Sequence, residues 1–527
     1  MEEAISRILT ELEEIRHFFD NPTDPNSQSL SEPTLLDLQT LLHHTINSND
    51  SEPLDRLYED LSSKSLSPNH LIRPIASTMD LGPTHLSLLA SNVYLSLLLS
   101  PNSPVFTLFT PMSFLSLLRS IRRSLKPRQP RVVPSETAEG SHHVAANKKR
   151  KGSGGRGRGS RKNAKSLNVD EGESGESEFD VGKVFSVLEK LELVMGLIHL
   201  DRFPDSLKSL VQTVVEIPVM AVEMCGNSVT YNRITDLCSR VLSEVLRPEH
   251  GEQADTAAEV LKSLSQLILR PKSPARIFGL AFVTNRMMGV AKSSDGVKKA
   301  VVNLPRYLVQ KVPEKSELRA LAVESIMEIV KVMEFNDQIG FVEYVLKMTQ
   351  GKASLRLLGV DLILMLIMYL KDPLGVELDG EVEGEWGLKC MEALIHRCSD
   401  TSGGIRARAL SNLAQLVGFL AGDDRSRAVL KQVMGFGNAA GEQRVEGEMN
   451  GLLRKRCMDE KAAVRKAAFL LITKLTALLG GAFDGVVLKT IGMACSDPLV
   501  SIRKAAISAL SEVHLLFAYS TDVVSVT

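Results

Sequence analysis

The stretch that decides the fold is CMDEKAAVRKAAFLLITKL, residues 457–475, in which an aspartate precedes an arginine by six residues. The same spacing occurs in SDTSGGIRARALSNL (399–413) and in SDPLVSIRKAAISAL (496–510). A catalytic pair would occur once, whereas this pair recurs along the chain. We therefore predict a structural role, in which aspartate and arginine side chains form a ladder between successive repeats. The predicted ladder residues are Asp400, Arg406, Asp459, Arg465, Asp497 and Arg503.

The repeat extends upstream in a form that lacks the aspartate. An aliphatic residue, an arginine and a small residue three positions later recur around Arg356, Arg319 and, more weakly, Arg276. The arginines at 276, 319, 356, 406, 465 and 503 lie 37 to 59 residues apart. Two-helix HEAT and armadillo units have lengths of about 40–47 residues. The two longest intervals contain residues 435–450 and 372–386, which we predict to be loops.

The residues of one unit place its apolar side chains on a single helix face. Val464, Ala467, Ala468, Leu471, Leu475 and Leu478 follow the helical period. The small residue after each arginine allows a neighbouring helix to approach closely. Asp497 and Pro498 predict a helix N-cap followed by proline at the first helical position. The predicted fold is an all-α, HEAT/armadillo-like α-solenoid of stacked helix pairs, interrupted by a disordered basic linker.

Composition and local patterns divide the 527 residues into four regions. We predict an N-terminal helical region (1–125), a disordered linker that is first basic and then acidic (126–180), a solenoid of degenerate repeats (181–350), and clear HEAT repeats (351–527) that are apparently truncated at the C-terminus. The start, MEEAISRILTELEEI, is acidic and does not resemble a secretory signal. The most apolar stretch, 362–370, is about half a membrane span, so we predict no membrane association.

The linker carries the strongest local charge in a chain whose net charge is −1. Its glycine, serine, lysine and arginine residues cannot bury enough apolar surface to fold. Three interpretations remain open for the basic cluster: a nuclear import signal, a nucleic-acid tether, or a solvated linker. The residues concerned are Lys148, Lys149, Arg150, Lys151, Arg161 and Lys162.

No motif in the sequence predicts catalysis, a cofactor or a small-molecule substrate. GSGGRGRGSRK (152–162) lacks the spacing of a phosphate-binding loop. Cys398, Cys457 and Cys495 occupy one repeat position, so we predict buried small side chains rather than ligands of one metal. Arg408, Lys466 and Lys504 lie one or two residues beyond the ladder arginines. We predict that they are outside the ladder and line a concave basic surface, the alternative being an ordinary solvated face.

The three tandem motifs RCSDTSGGIRARALSNLAQL, RCMDEKAAVRKAAFLLITKL and ACSDPLVSIRKAAISALSEV resemble the HEAT-repeat D-type subunits of condensin II, in a plant-like form. The resemblance covers about 180–512. It implies a non-enzymatic subunit that binds a kleisin, works beside SMC ATPases and contacts chromatin without sequence choice. It also implies the nucleus and chromosomes as location and importins as transport partners. The alternative is another nuclear HEAT scaffold, such as a transport receptor or a phosphatase scaffold.

Overall fold

The computed structural model describes residues 2–20, 29–48, 50–126, 181–225, 227–375, 386–434, 443–479 and 485–524. These residues form helices and no strand. None of the described helices is both long enough and apolar enough to cross a membrane. The helices are α1 (Glu2–Asp20), α2 (Glu32–Ser48), α3 (Glu52–Ser63), α4 (Pro68–Leu81), α5 (Thr84–Leu99), α6 (Val105–Leu108), α7 (Pro111–Ser124), α8 (Val181–Met195), α9 (Pro204–Met224), α10 (Ser228–Val245), α11 (Gln253–Ile268), α12 (Pro274–Ala281), α13 (Met288–Ala291), α14 (Asp295–Lys311), α15 (Ser316–Val330), α16 (Phe335–Met348), α17 (Ala353–Tyr369), α18 (Trp386–Arg397), α19 (Gly403–Leu420), α20 (Asp424–Val433), α21 (Gln443–Cys457), α22 (Ala462–Leu479), α23 (Gly485–Ala494) and α24 (Val500–Val524).

The chain divides into two compact units, one of residues 1–101 with 119–187 and one of residues 102–118 with 188–527. In the first unit, α2 packs against both α1 and α5, and α4 packs against α5. Leucine side chains on these helices form its core, and α5 is buried on most of its circumference. The predicted region limits at 125, 180 and 350 remain predictions.

The second unit repeats one arrangement of helix pairs. From α11 to α24, each pair has a first helix and a second helix that pack against each other, and each second helix also packs against the second helix of the next pair. We call the second helices α12, α15, α17, α19, α22 and α24 the second-helix row. Because each pair buries its apolar face against its neighbours, the array is a solenoid. The predicted HEAT/armadillo-like fold class is confirmed.

The longest repeat interval contains an additional helix. α20 lies between α19 and α21 and contacts both α18 and α22, which accounts for the 59 residues between Arg406 and Arg465. The loop predicted over 435–450 is wrong for residues 443–450, which form the first half of α21. The remainder of that prediction, 435–442, lies outside the described residues, as does most of the loop predicted over 372–386.

The small residue three positions after the arginine lies close to the first helix of its pair at Gly279 and Gly359. A Cβ atom on Gly359 of α17 would lie 3.1 Å from Cγ2 of Thr349, which follows α16. A Cβ atom on Gly279 of α12 would lie 3.3 Å from Cγ1 of Ile268 in α11. The corresponding Ala409 and Ala468 are fully buried. Small side chains at this position therefore set the short distance between the two helices of a pair.

The N-cap predicted at Asp497 is wrong. α24 begins at Val500, two residues after Pro498, so Leu499 occupies the position before the helix. The Asp497 carboxylate instead accepts a hydrogen bond from the Leu499 backbone N–H at 2.9 Å and faces an arginine of the preceding pair. The Asp497 side chain therefore stabilises the turn that leads into α24 and does not cap the helix itself.

Candidate interaction site: the arginine ladder and the second-helix surface

Arg356, Arg406 and Arg465 each join their own turn to the turn of the next repeat. Arg406 donates from Nη1 to the carbonyl of Asp400, six residues earlier, at 3.0 Å. Its Nε and Nη2 atoms donate to the carboxylate of Asp459, in the following repeat, at 2.9 and 2.8 Å. The six-residue spacing therefore lets one guanidinium group bind backward to a carbonyl and forward to a carboxylate.

The same two-way contact recurs on both sides of Arg406. Arg356 donates to both carboxylate oxygens of Asp400, at 2.8 and 3.0 Å. Arg465 donates to both oxygens of Asp497, at 2.9 and 3.2 Å, and to the carbonyl of Asp459. Paired donors from a planar guanidinium group fix orientation as well as distance. The geometry thus sets the register of one helix pair on the next from α17 to the start of α24.

A second arginine supports two of these carboxylates and was missed by the sequence analysis. Arg397 donates to Asp400 at 2.9 Å, and Arg456 donates to Asp459 at 2.8 Å. Both lie three residues before the aspartate, in the sequence Arg-Cys-x-Asp. The third motif has Ala494 at this position, so Asp497 lacks the corresponding contact. The Arg-Cys-x-Asp sequence occurs twice, and this recurrence was the feature of the sequence that could have predicted the second arginine.

These contacts keep the ladder carboxyl groups ionised. Burial by itself raises the pKa of the Asp459 carboxyl, but hydrogen bonds from Arg406, the Lys461 N–H and Arg456 outweigh burial and lower the pKa to about 2. The pKa of Asp400 is lowered to about 2 against the same effect of burial, with Arg356 and the Ser402 N–H as donors. The ladder pairs are therefore charged over the physiological pH range.

The ladder continues upstream through acids that the sequence analysis did not assign. Arg319 donates from Nε to Asp361 at 2.9 Å, and Arg276 approaches Glu324 at 3.0 Å. Each of these acids lies five residues after the arginine of its own repeat, on the second helix itself. An acid on the helix thus replaces the turn aspartate in the two repeats that contain Arg319 and Arg356.

The predicted basic surface divides into two kinds of residue. The expectation that Arg408 lies outside the ladder is wrong, because its Nε atom donates to Asp361, which also binds Arg319. Lys466 and Lys504 are exposed on α22 and α24.

Arg503, the last of the predicted ladder residues, donates from Nη1 to the carbonyls of Asp497 and Pro498, and no carboxylate within the described residues accepts from it.

The cysteines differ in burial. Cys398 and Cys457 are buried, and burial raises the pKa of both thiols to about 12, whereas Cys495 is partly exposed. Both thiols are therefore neutral at physiological pH. Across the described ranges, no group of three or more His, Cys, Asp or Glu side chains is placed to hold a metal ion.

The predicted import or DNA-contact cluster lies outside the described residues, which end at 126 before the linker and resume at 181. Its residues Lys148, Lys149, Arg150, Lys151, Arg161 and Lys162 therefore remain a prediction from the sequence.

Comparison with known proteins gives two related chains. Over 495 residues, 93% of this chain, the sequence is 50% identical to the Arabidopsis thaliana "Condensin-2 complex subunit CAP-D3". This chain is a homologue of condensin-2 D3 subunits. The Xenopus laevis "Condensin-2 complex subunit D3-L" is 23% identical over 332 residues, 54% of this chain. The resemblance stated from the tandem motifs is confirmed.

The chain spans only part of these condensin-2 relatives, 36% of the Arabidopsis protein and 21% of the Xenopus protein. No family model matches the sequence. Among solved structures, a chain of the Pds5–Scc1 complex is similar over 91% of this chain and 60% of its own length, with 13% identity and a TM-score of 0.42. A likeness at that level does not identify a function.

Proposed function

We propose that the chain acts as a non-enzymatic scaffold subunit of condensin II in mitotic chromosome condensation. The observation that carries this proposal is the 50% identity with the Arabidopsis condensin-2 subunit over nearly the whole of this chain. Its partners in this proposal are the kleisin and SMC ATPase subunits of condensin II, chromatin, and importins that carry it to the nucleus. ATP hydrolysis belongs to the SMC partners, and this subunit supplies binding surfaces.

The ladder supports the scaffold role physically. In a solenoid, each repeat contacts only its neighbours, so register must be fixed locally at every junction. The buried Arg–Asp contacts do so for the second-helix row, which then presents a fixed surface to an extended segment of the kleisin. Lys466 and Lys504 extend from this row at the C-terminal end of the described solenoid. We propose that they and the basic linker contribute salt-dependent affinity for DNA.

The scaffold proposal is tested by purifying the chain from plant cells with its bound partners at low salt and identifying them by mass spectrometry. Recovery of a kleisin together with SMC ATPases is the expected result. Recovery of a phosphatase or of transport cargo in their place would assign the chain to a different HEAT scaffold. Nucleotide turnover by the purified chain alone would contradict the non-enzymatic role.

Substituting Lys466 and Lys504 with alanine is expected to weaken non-specific DNA binding and to reduce the salt dependence. Each phosphate contact contributes about 0.9 to the slope of log affinity against log salt concentration, so the double variant should lose about two from the slope. Fluorescence anisotropy with a labelled duplex over a salt series measures both quantities.

The matched control replaces Lys208 and Lys299, two exposed lysines on the first helices α9 and α14. This control carries the same change in net charge and should retain most of the slope. Equal losses in the two double variants would show that only overall charge matters, and would contradict a DNA-contacting role for the second-helix row.

A further inference from the structure

A cleft in the second unit lies where the ladder does not reach. The ladder begins at Arg276 in α12, and no ladder arginine joins α12 to α10, the second helix of the preceding pair. A cavity of about 730 Å³ opens between these two helices. From α17 to α24, by contrast, second helices pack directly on one another.

The floor of this cleft is apolar. It is formed by Phe278 and Phe282, with Val222 and Ala281 beside them. Ile277 also lines the cleft, and 68% of its surface is exposed. Ile277 directly follows its ladder arginine, at the repeat position that Lys466 and Lys504 occupy in later repeats. The second-helix surface therefore changes from apolar near α12 to basic near α22 and α24.

The wall of the cleft carries hydrogen-bonding groups without partners. The side-chain amides of Asn232 and Asn285 are exposed and make no hydrogen bond within the described chain. The hydroxyl of Tyr231 is buried there and also lacks a partner. Asn285 is presented by residues 282–287, a π-helical segment that continues α12, and such segments are frequent at functional sites. An amide offers both donor and acceptor atoms, which matches the pattern of a peptide backbone.

The charges at the rim distinguish between classes of partner. Asp236 and Arg286 face each other at 3.9 Å, and Asp236 is also bound by Arg240. The rim therefore presents no excess of positive charge to attract phosphates, which nucleic-acid binding requires. An uncharged stretch of backbone with an apolar side chain fits the floor, the amides and the rim together.

We propose that the cleft between α10 and α12 docks an extended, uncharged segment of a partner protein through one bulky aromatic or aliphatic side chain. The side chain enters the cavity over Phe278 and Ile277, while the amides of Asn232 and Asn285 bind the adjoining backbone. This inference deepens the proposed scaffold function and rests on it. Burial of a large apolar anchor in a preformed pocket is the usual dominant contribution at such an interface.

The test uses the full chain and a displayed library of peptides from disordered protein segments. Selected peptides should share an uncharged core with one large apolar residue, and their affinities can be measured by fluorescence polarisation. Ile277→Arg should weaken binding at least about tenfold, because it places a charge over the apolar floor. Asn232→Ala combined with Asn285→Ala should weaken it several-fold by removing the backbone contacts.

The matched control is Val229→Arg, which adds the same charge at a residue 76% exposed in the first turn of α10, outside the residues that line the cleft. It should leave peptide affinity unchanged. Equal binding by the Ile277→Arg and wild-type chains, or selection of acidic peptides only, would overturn the proposal. Co-purification with kleisin and SMC ATPases is measured separately, so failure of the cleft and failure of the scaffold function give different results.

Discussion

Replacing Asp459 with alanine should destabilise the solenoid by about 3–5 kcal/mol, the usual result of removing one partner of a buried ion pair. The substitution leaves the guanidinium group of Arg456 without a counter-charge and leaves Arg406 only the exposed carboxylate of Glu460, at 3.9 Å. The side chains of Arg406 and Arg456 are only 10% and 8% exposed. Urea denaturation monitored by circular dichroism measures the loss of stability. Hydrogen exchange should increase most where α19 packs on α22, because repeats interact with their nearest neighbours.

The control for this prediction is Asp424→Ala. Asp424 also binds an arginine, Arg427, but its side chain is 91% exposed, so its loss should cost less than about 1 kcal/mol. A further variant replaces Asp459 by leucine and both Arg406 and Arg456 by methionine. It should be more stable than Asp459→Ala, since no buried charge is left unpaired. Similar losses for Asp459→Ala and Asp424→Ala would contradict a structural role for the ladder.

The acid dependence of stability gives a second readout for the same residue. The pKa of Asp459 is lower in the folded chain than in the unfolded chain, so the folded state binds fewer protons at this site. The stabilisation is therefore complete above about pH 4, the unfolded value, and is lost as the pH falls toward 2. Asp459→Asn should flatten this part of the stability profile relative to the wild-type chain.

The recurring six-residue spacing predicted the ladder contacts of the turn aspartates. It did not predict the ladder contacts of the acids that lie on the second helices. Asp361 directly precedes the apolar stretch 362–370 and belongs to no turn motif, yet its buried carboxylate accepts from Arg319 and Arg408. A search for the turn aspartate cannot find an acid that lies one helical turn after the arginine. Which of the two positions approaches the preceding arginine depends on how the helices pack, and that is not encoded in spacing alone.

The cleft between α10 and α12 was equally hidden from the sequence. Nothing in the sequence around Tyr231 or Ile277 distinguishes a widened junction from a closed one. The sequence marks this junction by an absence, because the arginine repeat begins at Arg276 and α10 carries no corresponding arginine motif. A π-helical segment also has no simple sequence pattern, so the placement of Asn285 at the wall required the structure.

The apolar pattern of the sequence also predicted less burial of α22 than the structure shows. The helical period assigned one apolar face, which included Leu471 and Leu475 but omitted Phe469 and Ile472. All four are fully buried. A second helix in the solenoid packs against its own first helix and against the second helices on both sides, so its buried surface is wider than one face. An amphipathic pattern describes a helix with a single neighbour and is too narrow for this position.

Phe469→Ala should therefore destabilise the chain by about 3–5 kcal/mol, as expected for loss of a buried phenyl ring and creation of a cavity. The adjacent Leu470 is the matched control, because it lies on the same helix with 43% of its surface exposed. Leu470→Ala should cost less than about 1 kcal/mol, and urea denaturation of the two variants side by side measures the difference. If both variants lost the same stability, the burial of α22 on several sides would be wrong, and the single-face prediction from the sequence would stand.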